Sequence, residues 1–97
     1  MRKIKTYVLV QHKVKDYNTW KAVFDFNELR WETAGLRTLH LFRSADDGNE
    51  VTIIFEVDDI LIMQVHLESA GVFQRMKKAG YIVGDIKFDI LEKVDLG

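Results

Sequence analysis

The side chains best suited to proton chemistry near neutral pH in this sequence are three histidines, His12, His40 and His66. Imidazole is the side chain that titrates in that range without perturbation. His12 stands near the end of an alternating apolar run, and Trp20 follows eight residues later. A histidine beside an aromatic wall is placed to take a proton from a phenol or an enol. Deprotonation makes such a compound electron-rich enough to reduce dioxygen, and a dry apolar pocket protects the intermediate. His12 is therefore the candidate catalytic base. The alternative is a structural imidazole bonded to a backbone carbonyl or to the loop at Asp16.

Candidate binding residues are Trp20, Phe24, Asn27, His40, Phe42, Ile54, His66 and Phe73. Trp20, Phe24, Phe42, Ile54 and Phe73 would be walls of a cavity, though aromatics at helical spacing also serve as ordinary core. Asn27 interrupts an apolar stripe, so its amide must find a ligand or a core partner if buried. The acidic pairs Asp46-Asp47 and Asp58-Asp59 fall in a turn and at a helix start, where negative charge is favourable without catalysis. Arg75, Lys77 and Lys78 form a small basic cluster that reads as a solvated helix face. The chain has no glycine-rich phosphate loop and no nucleophile elbow.

The elements that position these residues follow from periodicity. Residues 4–14 alternate, with Ile4, Thr6, Val8, Val10, His12 and Val14 on one face, which predicts a strand. Asp16 is a predicted N-cap. Tyr17, Trp20, Phe24, Asn27, Trp31 and Ala34 recur at steps of three and four, one helical stripe. Gly35 ends that helix. Residues 36–44 and 51–57 read as two strands joined at Asp46-Asp47-Gly48-Asn49, a hairpin turn. A second helix is predicted from Asp58-Asp59 to Gly80, with a break at Ser69-Ala70-Gly71 where Ser69 would cap a continuation. Residues 82–94 read as the last strand, with Ile86, Phe88 and Ile90 on one face.

The same punctuation thus occurs twice. Val14-Lys15-Asp16 leads to Ala34-Gly35-Leu36, and Val57-Asp58-Asp59 leads to Ala79-Gly80-Tyr81. Two split β-α-β units in one sheet predict an α+β, ferredoxin-like fold with strand order 4-1-3-2. Both helices then cover one face of the sheet. Strand three would separate His12 from His40 by about 9–10 Å, so no metal site is expected, and no cofactor is expected either.

Ninety-seven residues suit a single domain spanning 1–97. Apolar residues make up 47% of the chain, generous for so small a core, which leaves surface for a partner. Tyr7 and Leu9 stand behind the Val8/Val10 face, strand two opposes Leu39 and Leu41 to Phe42, and Leu91 stands behind Ile90. Two-sided apolarity predicts that the second sheet face is buried as well. Ile60, Leu61, Ile62, Met63, Val65 and Leu67 leave the second helix almost no polar face, which predicts burial on more than one side. A symmetric homodimer with facing sheets satisfies both. Fourteen basic and fifteen acidic residues give no basic face for nucleic acid. The absence of cysteine excludes thiolate chemistry. No apolar run approaches about 20 residues and the start is unlike a signal peptide, so a cytoplasmic protein without a membrane partner is expected.

The segment His12-Lys13-Val14-Lys15-Asp16-Tyr17 with Trp20 and Phe24-Asp25 resembles the dimeric α+β barrel superfamily. Ala34-Gly35, Asp46-Asp47-Gly48-Asn49-Glu50-Val51 and Phe55-Glu56-Val57-Asp58-Asp59 add to the likeness. The superfamily includes antibiotic-biosynthesis monooxygenases and small cyclase-like relatives. The resemblance implies a ligand cavity between the sheet and the helices of each subunit. It implies an enzyme acting on an aromatic or polyketide-like compound, in the manner of a cofactor-independent monooxygenase. The haem-degrading members carry a tryptophan where this chain has Val57 and a histidine near Met76-Lys77, so haem degradation is not implied. Oxygenases of the group often use an asparagine on strand one, where this chain has Gln11 and His12. A non-catalytic dimer that binds a small apolar ligand, or a structural protein, is the rival expectation.

Overall fold

A computed structural model of the chain describes residues 5–94 and 96. Ile4, expected at the start of the first strand, lies outside the described residues. Strand β1 (Lys5–Val14), helix α1 (Tyr17–Thr33), β2 (Leu36–Arg43), β3 (Glu50–Asp58), α2 (Ile62–Lys78) and β4 (Ile82–Leu91) follow in chain order. All neighbouring strands are antiparallel, in the order β2-β3-β1-β4. This is the predicted order, and the fold is the ferredoxin-like α+β arrangement.

The helix ends bear out the repeated punctuation. Asp16 caps α1, its carboxylate accepting from the Thr19 amide at 3.0 Å and the Thr19 hydroxyl at 2.7 Å. Those bonds hold the Asp16 carboxyl below the usual range. Gly35 and Gly80 follow the two helices at φ +92° and +90°, a conformation that a Cβ disfavours. The Gly80 and Tyr81 amides donate to the Lys77 and Met76 carbonyls at 3.0 and 2.9 Å, which closes α2 with a Schellman motif.

The second helix departs from expectation in two ways. It begins through a single 3₁₀ turn at Asp59–Leu61, tied to the sheet by the Thr6 hydroxyl donating to Asp59 at 2.8 Å. It also runs unbroken through Ser69-Ala70-Gly71. Ser69 is buried on the face that packs Val65, Val72, Phe73 and Met76, so packing overrides its capping preference. Ile60, Met63 and Leu67 remain exposed within one chain; Ile62 and Leu61 are half-buried against the core.

Strand β3 shows why the core lies where it does. Val51, Ile53, Phe55 and Val57 are buried, while Thr52, Ile54 and Glu56 between them are only half-buried. Helices cover the first set; no described element covers the second. The hairpin turn pins one end of the sheet to α1. Asn49 accepts from the Val14 amide through its carbonyl at 2.7 Å and from the Tyr17 amide through its side chain at 3.0 Å. The end of β1 and the start of α1, which carry His12 and Trp20, are therefore held by one residue.

Candidate functional site

The interior between sheet and helices is a connected array of rings. His12 lies 5.5 Å from Trp20 and 5.3 Å from Phe73 between ring centroids. Trp20 meets Phe24 at 5.0 Å, Phe24 meets Trp31 at 4.5 Å, and Trp31 meets Phe55 at 5.4 Å and Phe73 at 5.6 Å. Phe73 continues to Phe88 at 6.1 Å, and Phe88 to His66 at 5.9 Å. Each helix contributes through its apolar stripe, β1 through His12, and β3 and β4 through one phenylalanine each.

A distortion of the sheet lies beside His12. Between Gln11 and Lys13 the β4 partner moves from Lys87 to Val83, so β4 carries extra residues there. Gly84 sits in that stretch at φ +79°, and a Cβ on it would meet nothing within 4 Å. Its backbone shape, rather than space, calls for glycine. His12 pairs with Val51 on β3 and faces the bulge on the β4 side. Bulges of this kind bend a strand and re-aim side chains.

His12 is 3% exposed, and among the described residues neither ring nitrogen has a hydrogen-bond partner. Burial without a counter-charge pushes its pKa down from 6.5 to about 4, because the imidazolium loses its hydration. The ring is therefore neutral at pH 7, the form that accepts a proton. Trp20 Nε1, Trp31 Nε1 and Ser69 Oγ in the same interior, and Thr38 Oγ1 farther along the sheet, are likewise buried without partners among the described residues. Each such group costs about 1–3 kcal/mol, and native interiors hold few of them.

Among the other binding candidates, Phe24 and Phe73 join this array and His66 stands at its edge. Asn27 donates to the Val23 carbonyl at 2.9 Å within its own helix, which answers its need for a partner locally. His40, Phe42 and Ile54 do not belong with the rest. His40 pairs with Ile54 and Phe42 with Thr52 on the uncovered face of the sheet, where His40 stacks on Phe42 at 5.5 Å. A single cavity walled by Trp20, Phe42 and Ile54 is thus ruled out, because the sheet itself stands between them. A bulge between Thr38 and His40 also corrects the reading of β2: Leu41 opposes Phe42 as expected, but Leu39 lines a hollow on the uncovered face with His40, Ile54, Tyr7 and Leu91. Sequence gives no sign of that extra residue.

Several hollows indent the described surface. One of about 410 Å³ lies between Asp16 and Tyr81, at the His12 end. Another of about 460 Å³ lies at the opposite end, around Gly35 and Val57. The hollow on the uncovered face measures about 330 Å³. A groove of about 230 Å³ runs between α1 and α2, with Trp31 in its wall. His12 lines none of these. Among the described residues, no group of three or more His, Asp or Glu side chains gathers in a metal-binding arrangement, and no helix is long and apolar enough to cross a membrane.

Trp31, Ser69 and Gly84 escaped the sequence reading as site residues. Trp31 had a signal in its place on the α1 stripe. Ser69 had one too, as a hydroxyl spaced four residues from both Val65 and Phe73.

No family model and no curated protein sequence matches the chain. Solved structures do match. A protein of Bordetella bronchiseptica described as an antibiotic biosynthesis monooxygenase superposes with a TM-score of 0.74 at 14% identity, over 95% of this chain and 99% of that one. SnoaB of Streptomyces nogalater, a cofactor-independent oxygenase solved as a mutant, gives 0.72 at 12% identity over 94% of both chains. A dimeric ferredoxin-like protein from an uncultured marine organism gives 0.60 at 11% identity, over 96% of this chain and 90% of that one. The chain has the fold of the antibiotic biosynthesis monooxygenase-like proteins, as the sequence resemblance implied.

Proposed function

We propose that the chain is a homodimeric enzyme that oxygenates a small aromatic or polyketide-like compound without a cofactor, in the layer between sheet and helices. One observation carries this reading. His12 is buried against aromatic rings with both nitrogens unpaired among the described residues, so a ligand reaching its proton-accepting atom would displace no protein hydrogen bond. The fold shared with a cofactor-independent oxygenase supports it.

The chemistry balances without an added reductant. Neutral His12 takes a proton from an acidic CH₂ flanked by aromatic rings. The carbanion passes electrons to dioxygen and the two join as a peroxide anion. His12 returns its proton and the hydroperoxide loses water: R₂CH₂ + O₂ → R₂C=O + H₂O. Because burial disfavours the imidazolium, the proton moves only if the anion stays against the ring as an ion pair. The rings around His12 exclude water and keep that pair tight.

The uncovered sheet face supports the homodimer. Tyr7, Leu9, Leu39, Ile54 and Leu91 form an apolar centre. The Arg37–Glu56 ion pair, the Gln11–Thr52 bond at 2.9 Å and the Lys87–Asp89 pair at 3.4 Å lie around it. Apolar centre and polar rim are the anatomy of a protein interface.

Oxygen uptake with a panel of electron-rich hydroxyanthrones tests the reading. The wild type is expected to turn over at least one of them, and His12→Ala to lower kcat by about a hundredfold or more. Undiminished turnover by His12→Ala would remove the base. The second reading, a ligand-binding protein without catalysis, draws on the hollow of about 410 Å³ between Asp16 and Tyr81, which His12 does not line. A compound bound and recovered unchanged is its signature.

A further inference from the structure

The groove between α1 and α2 is lined by Arg30 and Trp31 from α1 and by Leu67, Glu68, Gly71 and Arg75 from α2, among others. We propose that this groove receives an aromatic carboxylate, with the carboxylate between Arg30 and Arg75 and the ring toward Trp31. The groove shares Trp31 with the ring array but does not include His12, so this site is additional to the reaction read above.

Three features of the groove point the same way. First, Arg30 and Arg75 are both exposed, and among the described residues neither guanidinium has an ion-pair or hydrogen-bond partner. They occupy equivalent places in the duplication: the amides of Ala34 and Ala79 donate to the carbonyls of Arg30 and Arg75 at 3.1 and 2.9 Å. Each suits the C-terminal turn of its helix electrostatically, but that role does not require both to line one groove. Two guanidiniums against the single Glu68 carboxylate leave the rim with one excess positive charge, matched to a monoanion.

Second, Gly71 lies in the middle of α2, where glycine costs stability relative to alanine. Packing does not demand it, since an added Cβ would meet only the Arg75 guanidinium, at 3.5 Å. What the missing side chain provides is room. Arg75 folds back one turn over Gly71, in the direction helical side chains point, which brings its charge along the groove toward the Arg30 end.

Third, Trp31 is 2% exposed with its Nε1 unpaired, and it both lines the groove and touches Phe24, Phe55 and Phe73. The groove wall is therefore the outer wall of the ring array. A flat aromatic acid slid between the helices would lie over the edge of that array, with two cations above.

Binding of 2-naphthoate and its neutral isostere 2-naphthamide to the full chain, measured by calorimetry, tests this. Naphthoate is expected to bind at least tenfold more tightly than naphthamide. The double variant Arg30→Gln/Arg75→Gln should erase that preference by weakening naphthoate at least tenfold while leaving naphthamide within twofold. Gly71→Leu, which fills the groove, should weaken both. Equal affinities for the two probes, no binding of either, an equal loss of both in the arginine variant, or unaltered naphthoate binding by Gly71→Leu would each overturn the proposal. Circular dichroism verifies that each variant is folded. The arginine-dependent preference is read without turnover, so its failure is distinguishable from failure of the His12 reaction, which oxygen uptake reads.

Discussion

His12 and His40 belong to the same four-stranded sheet and lie on opposite faces of it. His12 faces the helices, 3% exposed, with both nitrogens unpaired and its pKa pushed down to about 4. His40 faces away from them, exposed, stacked on Phe42 beside a hollow of about 330 Å³. Nothing in residue type separates them. The difference comes from what stands over each ring: two helices over one, no described element over the other. The covered face concentrates unpaired polar groups in a dry aromatic setting, where they are costly and chemically useful. The uncovered face concentrates apolar groups at a solvent boundary, where they suit association.

The largest loss on the covered face is expected at Phe73. It has no exposed surface and touches His12, Trp31 and Phe88, so Phe73→Ala should cost about 3–5 kcal/mol of folding stability in urea denaturation. A loss below about 1 kcal/mol would mean that the interior is loosely packed and collapses readily.

On the other face, Ile54→Glu should leave the subunit folded and raise the dissociation constant of the proposed dimer by about a hundredfold or more, since it sets an unpaired carboxylate in an apolar centre. Sedimentation at micromolar concentration reads the shift. An unchanged dimer would place the interface elsewhere, and the exposed stripe of Ile60, Met63 and Leu67 would become its first candidate.

Acid distinguishes the two faces by acting on the buried histidine. The pKa of His12 falls on folding, from 6.5 to about 4. Between those values the unfolded chain binds more protons than the folded one, so stability is lost as pH falls from 6.5 toward 4. The full effect is about 3 kcal/mol. His12→Leu should flatten that part of the stability-versus-pH curve, measured by denaturation at a series of pH values. An identical slope in both proteins would show that His12 is hydrated or paired in solution.

Much of this was legible from the residues. The α1 stripe from Tyr17 to Ala34, the Asp16 cap, both glycine stops and the hairpin at residues 46–49 are local patterns, and local patterns survive because few alternatives compete with them. Ser69 shows the limit. Its hydroxyl reads as a cap in isolation, yet the packing of Val65, Val72 and Phe73 on either side holds it inside a continuous helix. The candidate site was half legible for a related reason. Period two assigns alternate residues of a strand to opposite faces, so His12 could be placed with Val8 and Val10, but a bulge resets the count, and the one between Thr38 and His40 has no mark in sequence.

Element order, the duplication, strand order and the excess of apolar surface were all written in the residues, because periodicity, capping and handedness act within short stretches of chain. Packing settled the rest: that His12, Trp20, Trp31 and Ser69 share one dry layer with their polar atoms unpaired, that His40 lies across the sheet from them, and that Arg30 and Arg75 line a common groove. Those facts depend on which surfaces close over which side chains, and that is fixed only when distant segments meet and water is excluded between them.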